Sequence, residues 1–165
     1  MTPNIARIDQ GHELWAELEE HLQRSGDWRW VSNEQGILPG VRFIAALCDG
    51  RVVGHISLKQ QELEVPSEPP TSLSLSGRNV YENFVQTFHV DEAYRRQGLG
   101  SALQLEALEW SRELGCFQLR SWSSLDRQAN YALKLKLGLA FCPGTYVVPS
   151  IGQQIPGGWF VKQLG

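Results

Sequence analysis

Apolar and polar positions alternate in two rhythms along the chain, and the changes of rhythm mark the elements. Ile5 to Ile8 reads as a short opening strand, after which Leu14, Leu18 and Leu22 recur at every fourth position and line one face of a helix. The periodicity is lost through Ser25-Gly26-Asp27-Trp28-Arg29-Trp30 and on to Leu38-Pro39-Gly40, which predicts a loop or a short second helix. Val41 to Cys48 and Arg51 to Lys59 are rich in β-branched and apolar residues and are joined by Asp49-Gly50, so they predict an antiparallel hairpin. Residues 64–79 hold three prolines and four serines, too polar for a core element, and predict a long surface loop.

The second half alternates strand and helix. Asn83 to Val90 predicts a strand, and Leu99, Leu103, Ala107, Trp110 and Leu114 trace a helical stripe that stops at Gly115, a residue suited to a left-handed cap. Cys116 to Trp122 predicts another strand. Ala129, Leu133 and Leu137 mark a further helix closed by Gly138, with Lys134 and Lys136 near its negative end. Leu139 to Val148 and Trp159 to Leu164 predict closing strands around a Gly/Pro-rich loop, Pro149 to Gly158. The alternation implies an α/β (α+β) fold, a partly parallel sheet covered by helices, in a single domain over residues 1–165.

Composition narrows the function classes. A chain of 165 residues with 42% hydrophobic and 20% charged residues can bury a core without disulfides. Fifteen Lys and Arg against eighteen Asp and Glu leave a net charge of -3, which gives no general attraction to nucleic acid or to an anionic membrane. Cys48, Cys116 and Cys142 are odd in number and sit in apolar runs, as reduced thiols do. His12, His21, His55 and His89 lack metal-ligand spacing, so no metal is expected. The N-terminus lacks a basic-then-apolar leader pattern, and the expected compartment is the cytoplasm.

The segment richest in chemistry runs from Phe88 through His89, Val90, Arg95, Arg96, Gln97, Gly98, Leu99 and Gly100 to Ser101. A glycine-punctuated turn at a helix start points several backbone N–H groups outward, and the helix dipole adds positive potential; the pair suits a phosphate or diphosphate. Arg95 and Arg96 add charge-assisted donors. The turn lacks the third spaced glycine of a dinucleotide fingerprint and the Gly-Lys-Ser/Thr of a P-loop.

Arg95-x-x-Gly98-x-Gly100, after a strand ending in Val90 and before Ser101-Ala102-Leu103, resembles the acetyl-CoA motif of the GNAT (Gcn5-related N-acetyltransferase) superfamily. The resemblance implies a mixed sheet of about six to seven strands with about four helices. It also implies a splayed parallel strand pair at the CoA site, with the motif strand parting from the strand over Cys116 to Trp122. Acetyl-CoA is then the cosubstrate and an amine the acceptor, with attack in a ternary complex. Amides from Gln97 to Ser101 would hold the CoA diphosphate, Arg95 and Arg96 would flank it, and the backbone of Phe88, His89 and Val90 would pair with the pantetheine arm. Asn130 resembles an asparagine that contacts that arm. Relatives of this kind often form homodimers, which the resemblance allows here.

Acyl transfer to nitrogen gains from placing the reactants together, from a base that takes the amine proton and from an acid that protonates the departing thiolate. Glu82, at the start of the motif strand, is the leading candidate base and His89 the second. The family's usual tyrosine acid is replaced by Lys134, and Tyr131 lies nearly one helical turn earlier, so both remain candidates for the acid. Trp28, Trp30 and the Pro149 to Gly158 loop border the expected acceptor cleft. An N-acetyltransferase is one reading; a non-catalytic acyl-CoA-binding sensor or interaction module is the other. A longer acyl donor or an unusual acceptor stays open.

Overall fold

The computed structural model describes residues 3–148 and 151–165. Its central sheet comprises β1 (Asn4–Ile8), β2 (Val41–Cys48), β3 (Arg51–Glu62), β4 (Tyr81–Val90), β5 (Gln118–Ser124), β6 (Ala140–Val147) and β7 (Gln154–Gln163). The spatial order is β1-β2-β3-β4-β5-β7-β6. The β4–β5 pair is parallel and every other neighbouring pair is antiparallel. Asp49 and Gly50 both take positive φ, 50° and 76°, as the two-residue turn between β2 and β3 requires.

Helices cover both faces. On one, α1 (Trp15–Ser25) and α2 (Trp28–Val31) bury Leu18, Leu22 and Val31 against Ile8, Phe43, Ala45 and Val52. Each fully buried leucine contributes roughly 1.5–3 kcal/mol, so Leu18 and Leu22 are the main anchors of α1. On the other face α3 (Leu99–Glu113) packs Leu99, Leu103, Ala107 and Leu108 against Ile44, Leu58, Val85 and Leu119. α4 (Gln128–Lys136) follows β5 on the α3 face. No described helix is long and apolar enough to cross a membrane.

The differences from the expected elements have physical causes. The motif strand begins at Tyr81, so Glu82 lies inside a paired ladder, and β5 starts at Gln118 and runs on to Ser124. The expected surface loop holds two short two-stranded ladders, Glu64–Val65 with Thr71–Ser72 and Ser74–Leu75 with Arg78–Asn79. Of the Pro149 to Gly158 loop, residues 149 and 150 lie outside the described residues, while Gln154 to Gly158 belongs to β7. A side chain at Gly157 would overlap Trp122 and the backbone of Ser123, and one at Gly158 would overlap Phe141. These glycines therefore serve close strand packing, which a sequence pattern confuses with a turn. In α4 the apolar stripe is only half-buried, Ala129 being exposed while Leu137 packs on the core, and the most buried side chain of the helix is Lys134, 1% exposed. The reason is polar matching, because β5 presents Ser121 and Ser123 to this helix.

Candidate active site

The site begins where two strands part. β4 pairs with β5 only over Glu82 to Val85, opposite Gln118 to Ser121, while its pairing with β3 continues to Val90. The β3 register shifts between Val85 and Thr87, leaving Gln86 as an extra residue that bends β4 away from β5. From Gln86 to Val90 one edge of β4 has no strand partner among the described residues. The groove opened by this fork is separate from two cavities of about 330 and 380 Å³, which lie at the β1–β2 edge and beneath Leu75 to Tyr81.

β4 leads into an exposed bend. Arg95, Arg96, Gln97 and Gly98 are solvent-exposed, with φ of 61° at Arg96 and 86° at Gly98. Ala102 N–H bonds Gly98 O at 3.0 Å, so the amides of Leu99, Gly100 and Ser101 precede the first intrahelical bond and are unpaired by the helix. Arg95 folds back, its Nε donating to Val90 O at 2.8 Å. At Gly100 an added Cβ would meet Phe88 and Leu133 at 3.4 and 3.5 Å, ordinary van der Waals contact, which shows how close α3 starts to β4 and α4. Phe88 packs its ring into the α3-face core, leaving its backbone on the groove.

The α4 side of the fork is polar and dry. Lys134 Nζ donates to Ser121 Oγ at 2.6 Å and Ser123 Oγ at 2.9 Å, and sits 5.0 Å from the Phe160 ring centroid. Burial with no compensating carboxylate pushes its ammonium down to about 7. Tyr131 donates to Ser123 O at 3.0 Å, and burial raises its phenol above the ordinary value. Asn130 Nδ2 donates to Ser123 Oγ at 2.7 Å, while its buried Oδ1 has no partner among the described residues.

On the opposite face Glu82 is 1% exposed and its oxygens are fully engaged. Arg120 reaches them through Nε at 3.1 and 3.0 Å and Nη2 at 2.6 Å, Gln118 donates at 2.8 Å and Gln61 at 3.0 Å. Burial alone raises this carboxyl, but the hydrogen bonds from Arg120, Gln118 and Gln61 outweigh it and hold it below its ordinary value. A carboxylate saturated in this way accepts a further proton poorly, which weighs against the base role expected for it. Arg120 also lies over the rings of Phe84 and Trp159, and Trp122 packs on Trp159 and Tyr146, giving this face an aromatic floor. Trp28 is absorbed into the α1 core, whereas Trp30 is 47% exposed beneath Arg29.

Further along this face lies a polar cluster that no sequence spacing announced. His21 from α1, His55 from β3 and His89 from β4 meet with Asp27 and Asp91. His21 and Asp27 come from the α1–α2 region, His55 from β3, and His89 and Asp91 from the end of β4, so no single stretch holds the cluster; only the β3–β4 pairing of His55 with His89 could have hinted at it. Among the described residues no group of three or more His, Cys, Asp or Glu has metal-holding geometry.

Solved structures share this architecture. Arabidopsis thaliana NAA60 in complex with acetyl-CoA superposes with a TM-score of 0.73 at 19% identity, covering 99% of each chain. The Escherichia coli ribosomal-protein-S18-alanine N-acetyltransferase gives 0.66 at 14% identity, covering 99% of this chain and 95% of that one. YncA of Salmonella typhimurium with its cofactor acetyl-CoA gives 0.63 at 16% identity, over 100% of this chain and 95% of that one. No curated protein sequence matches. The model of the GNAT acetyltransferase family matches residues 7–138, across the fork, the bend and α4, and the chain belongs to that family.

Proposed function

We propose that this chain transfers an acetyl group from acetyl-CoA to a primary amine by direct attack in a ternary complex. The observation that carries this reading is the strand fork ending in an exposed glycine bend, whose first-turn amides are unpaired. The amides from Gln97 to Ser101 take the diphosphate, with Arg95 and Arg96 beside it. The free edge of Phe88 to Val90 pairs with the pantetheine arm, and Asn130 Oδ1 accepts one of the arm's N–H groups, which would satisfy an otherwise orphaned buried acceptor. Acetyl-CoA in the two neighbours solved with it supports the choice of donor.

The thioester then lies beside Gln86 and Thr87, between a dry α4 face and an aromatic acceptor face. The amine nitrogen attacks the thioester carbon, the tetrahedral adduct collapses, and the C–S bond breaks to a thiolate. Lys134 supplies a proton or a stabilising charge to that sulfur, because a lysine near neutrality gives up its proton readily. Tyr131 holds the Ser123 carbonyl beside it. Phe84, Trp122, Tyr146 and Trp159 suit an acceptor with an apolar or cationic group near its amine.

The test is thiol release from acetyl-CoA in the presence of spermidine, an aminoglycoside or a short peptide with a free N-terminus. Release above the acceptor-free background with one of them, lost in Gly98→Glu, is the expected result. Acetyl-CoA binding without release from any of them favours the non-catalytic acyl-CoA-binding reading instead.

A further inference from the structure

The acceptor face holds a cation whose outer edge is unused. Arg120 grips Glu82 from the side, its Nε and Nη2 donating to the two carboxylate oxygens at 2.6 to 3.1 Å. A guanidinium carries five N–H groups, and a side-on grip of this kind takes one from each of those nitrogens. Nη1 has no hydrogen-bond partner among the described residues. Its two N–H groups and the second one of Nη2 form another fork at the end of the group, of a shape that a carboxylate fits. The Arg120 side chain is 29% exposed and that of Glu82 only 1%, so the cleft meets the guanidinium and not the carboxylate that anchors it.

A second cation stands in the same row. Phe84 on β4 is flanked by Lys59 of β3 and Arg120 of β5, and residues opposed in this way share a face of the sheet. Lys59 is half-buried and joins no ion pair among the described residues. Asp27 and Asp91, further along this face, are engaged by His55 and by His21 and Arg24. Arg120 and Glu82 cancel each other, so Lys59 leaves the row one positive charge in excess, which an anionic group on the acceptor balances. Aromatic surface adjoins it. The rings of Phe84 and Trp159 lie 5.2 and 4.7 Å from the guanidinium carbon, and Trp122 packs on Trp159 with centroids 5.1 Å apart. All three are half-buried and leave room for a flat apolar group.

We propose that the acceptor is a free α-amino acid with an aromatic side chain, its carboxylate held by the outer fork of Arg120 and its ring laid on Phe84, Trp122 and Trp159. The proposal rests on the transfer reading above and narrows the amine to one chemical class. The reach fits. Gln86 at the fork lies two residues beyond Phe84, roughly 7 Å along a strand. A carboxylate accepting at about 2.9 Å, with the amine on the adjacent carbon and about 3–3.5 Å from the thioester carbon, bridges that span. The α-amine nitrogen bonds the acetyl carbon, the C–S bond breaks, and the proton lost by nitrogen is balanced by the one gained at sulfur, giving an N-acetyl amino acid and free CoA thiol. Arg120 binds the acceptor and moves no proton.

The test compares L-phenylalanine, its primary amide and phenethylamine as acceptors for the wild-type protein, each read as thiol release from acetyl-CoA. Phenylalanine is expected to show a kcat/KM at least about 30-fold above the other two, chiefly through KM. Arg120→Lys keeps a cation for Glu82 but has no second fork, so the ratio of phenylalanine to its amide should fall below about threefold. Inhibition of wild type gives a measurement that needs no variant to fold: 3-phenylpropanoate should compete with the acceptor and 3-phenylpropanamide should not. Equal use of phenylalanine and its amide, equal inhibition by the acid and its amide, or an unchanged ratio in Arg120→Lys overturns the inference. Turnover of spermidine, an aminoglycoside or a peptide but not of phenylalanine also overturns it and leaves the transfer reading standing. Absence of thiol release with every acceptor removes both.

Discussion

Glu82 and Lys134 are each 1% exposed and lie on opposite faces of β5, but the protein treats their charges in opposite ways. Glu82 sits where β4 and β5 still pair, and Arg120, Gln118 and Gln61 saturate it. Lys134 sits where the strands part, and its hydrogen-bond partners among the described residues are two neutral serine hydroxyls. Closing the ladder stabilises; leaving an ammonium without a counter-charge costs stability. Burial without a counter-charge moves the Lys134 pKa towards neutrality, as the proton-donating role proposed for it requires.

Breaking the paired side should have the largest effect. Arg120→Ala leaves the Glu82 carboxylate buried without its cation, and a loss of about 3–5 kcal/mol in urea unfolding is expected. A loss below about 1 kcal/mol would mean that water reaches Glu82 and that the two sides do not differ as described. Lys134→Met attacks the other side and should split stability from activity. The expected result is about a 100-fold fall in kcat for thiol release, together with unchanged or raised stability at neutral pH. Equal loss of both would make Lys134 a structural residue.

The pH dependence sharpens the same contrast. Between about 7 and the ordinary 10.5, the unfolded chain binds a proton at Lys134 that the folded chain does not. This residue therefore makes stability rise with pH across that window, by up to about 1.4 kcal/mol per pH unit, and contributes no such slope above it. The wild type should gain stability relative to Lys134→Met as pH rises from 7 towards 10, and parallel curves would deny the shift. Tyr131→Phe should matter least, within about tenfold in kcat, because the lost hydroxyl serves a backbone carbonyl that faces the groove.

Much of the framework was legible because its signals are local. Asp49-Gly50 marked the hairpin, Leu18 and Leu22 marked the docked face of α1, and the glycines at 98 and 100 marked the bend. The spacing of Ala129, Leu133 and Leu137 marked α4 as a helix but gave no sign that Lys134 is its most buried residue. What turns Lys134 inward is the pair of serines on β5, a partner that no window of sequence contains. Glu82 looked like a free strand-end carboxylate for the same reason, since Arg120 lies far along the chain and comes beside it only through the parallel register. The histidine cluster combines both difficulties: its members come from three separate stretches of the sequence and obey no ligand spacing.

The central claim is that the amides of the Gln97 to Ser101 bend hold the diphosphate of acetyl-CoA. Titration calorimetry with acetyl-CoA tests it directly, on wild type and on Gly98→Glu, with thermal melts confirming that both are folded. The account predicts saturable binding by wild type and at least a 100-fold weaker affinity in the variant, whose carboxylate would stand where the phosphates must lie, a cost of about 2.7 kcal/mol. No binding by wild type, or equal binding by the two proteins, would contradict it.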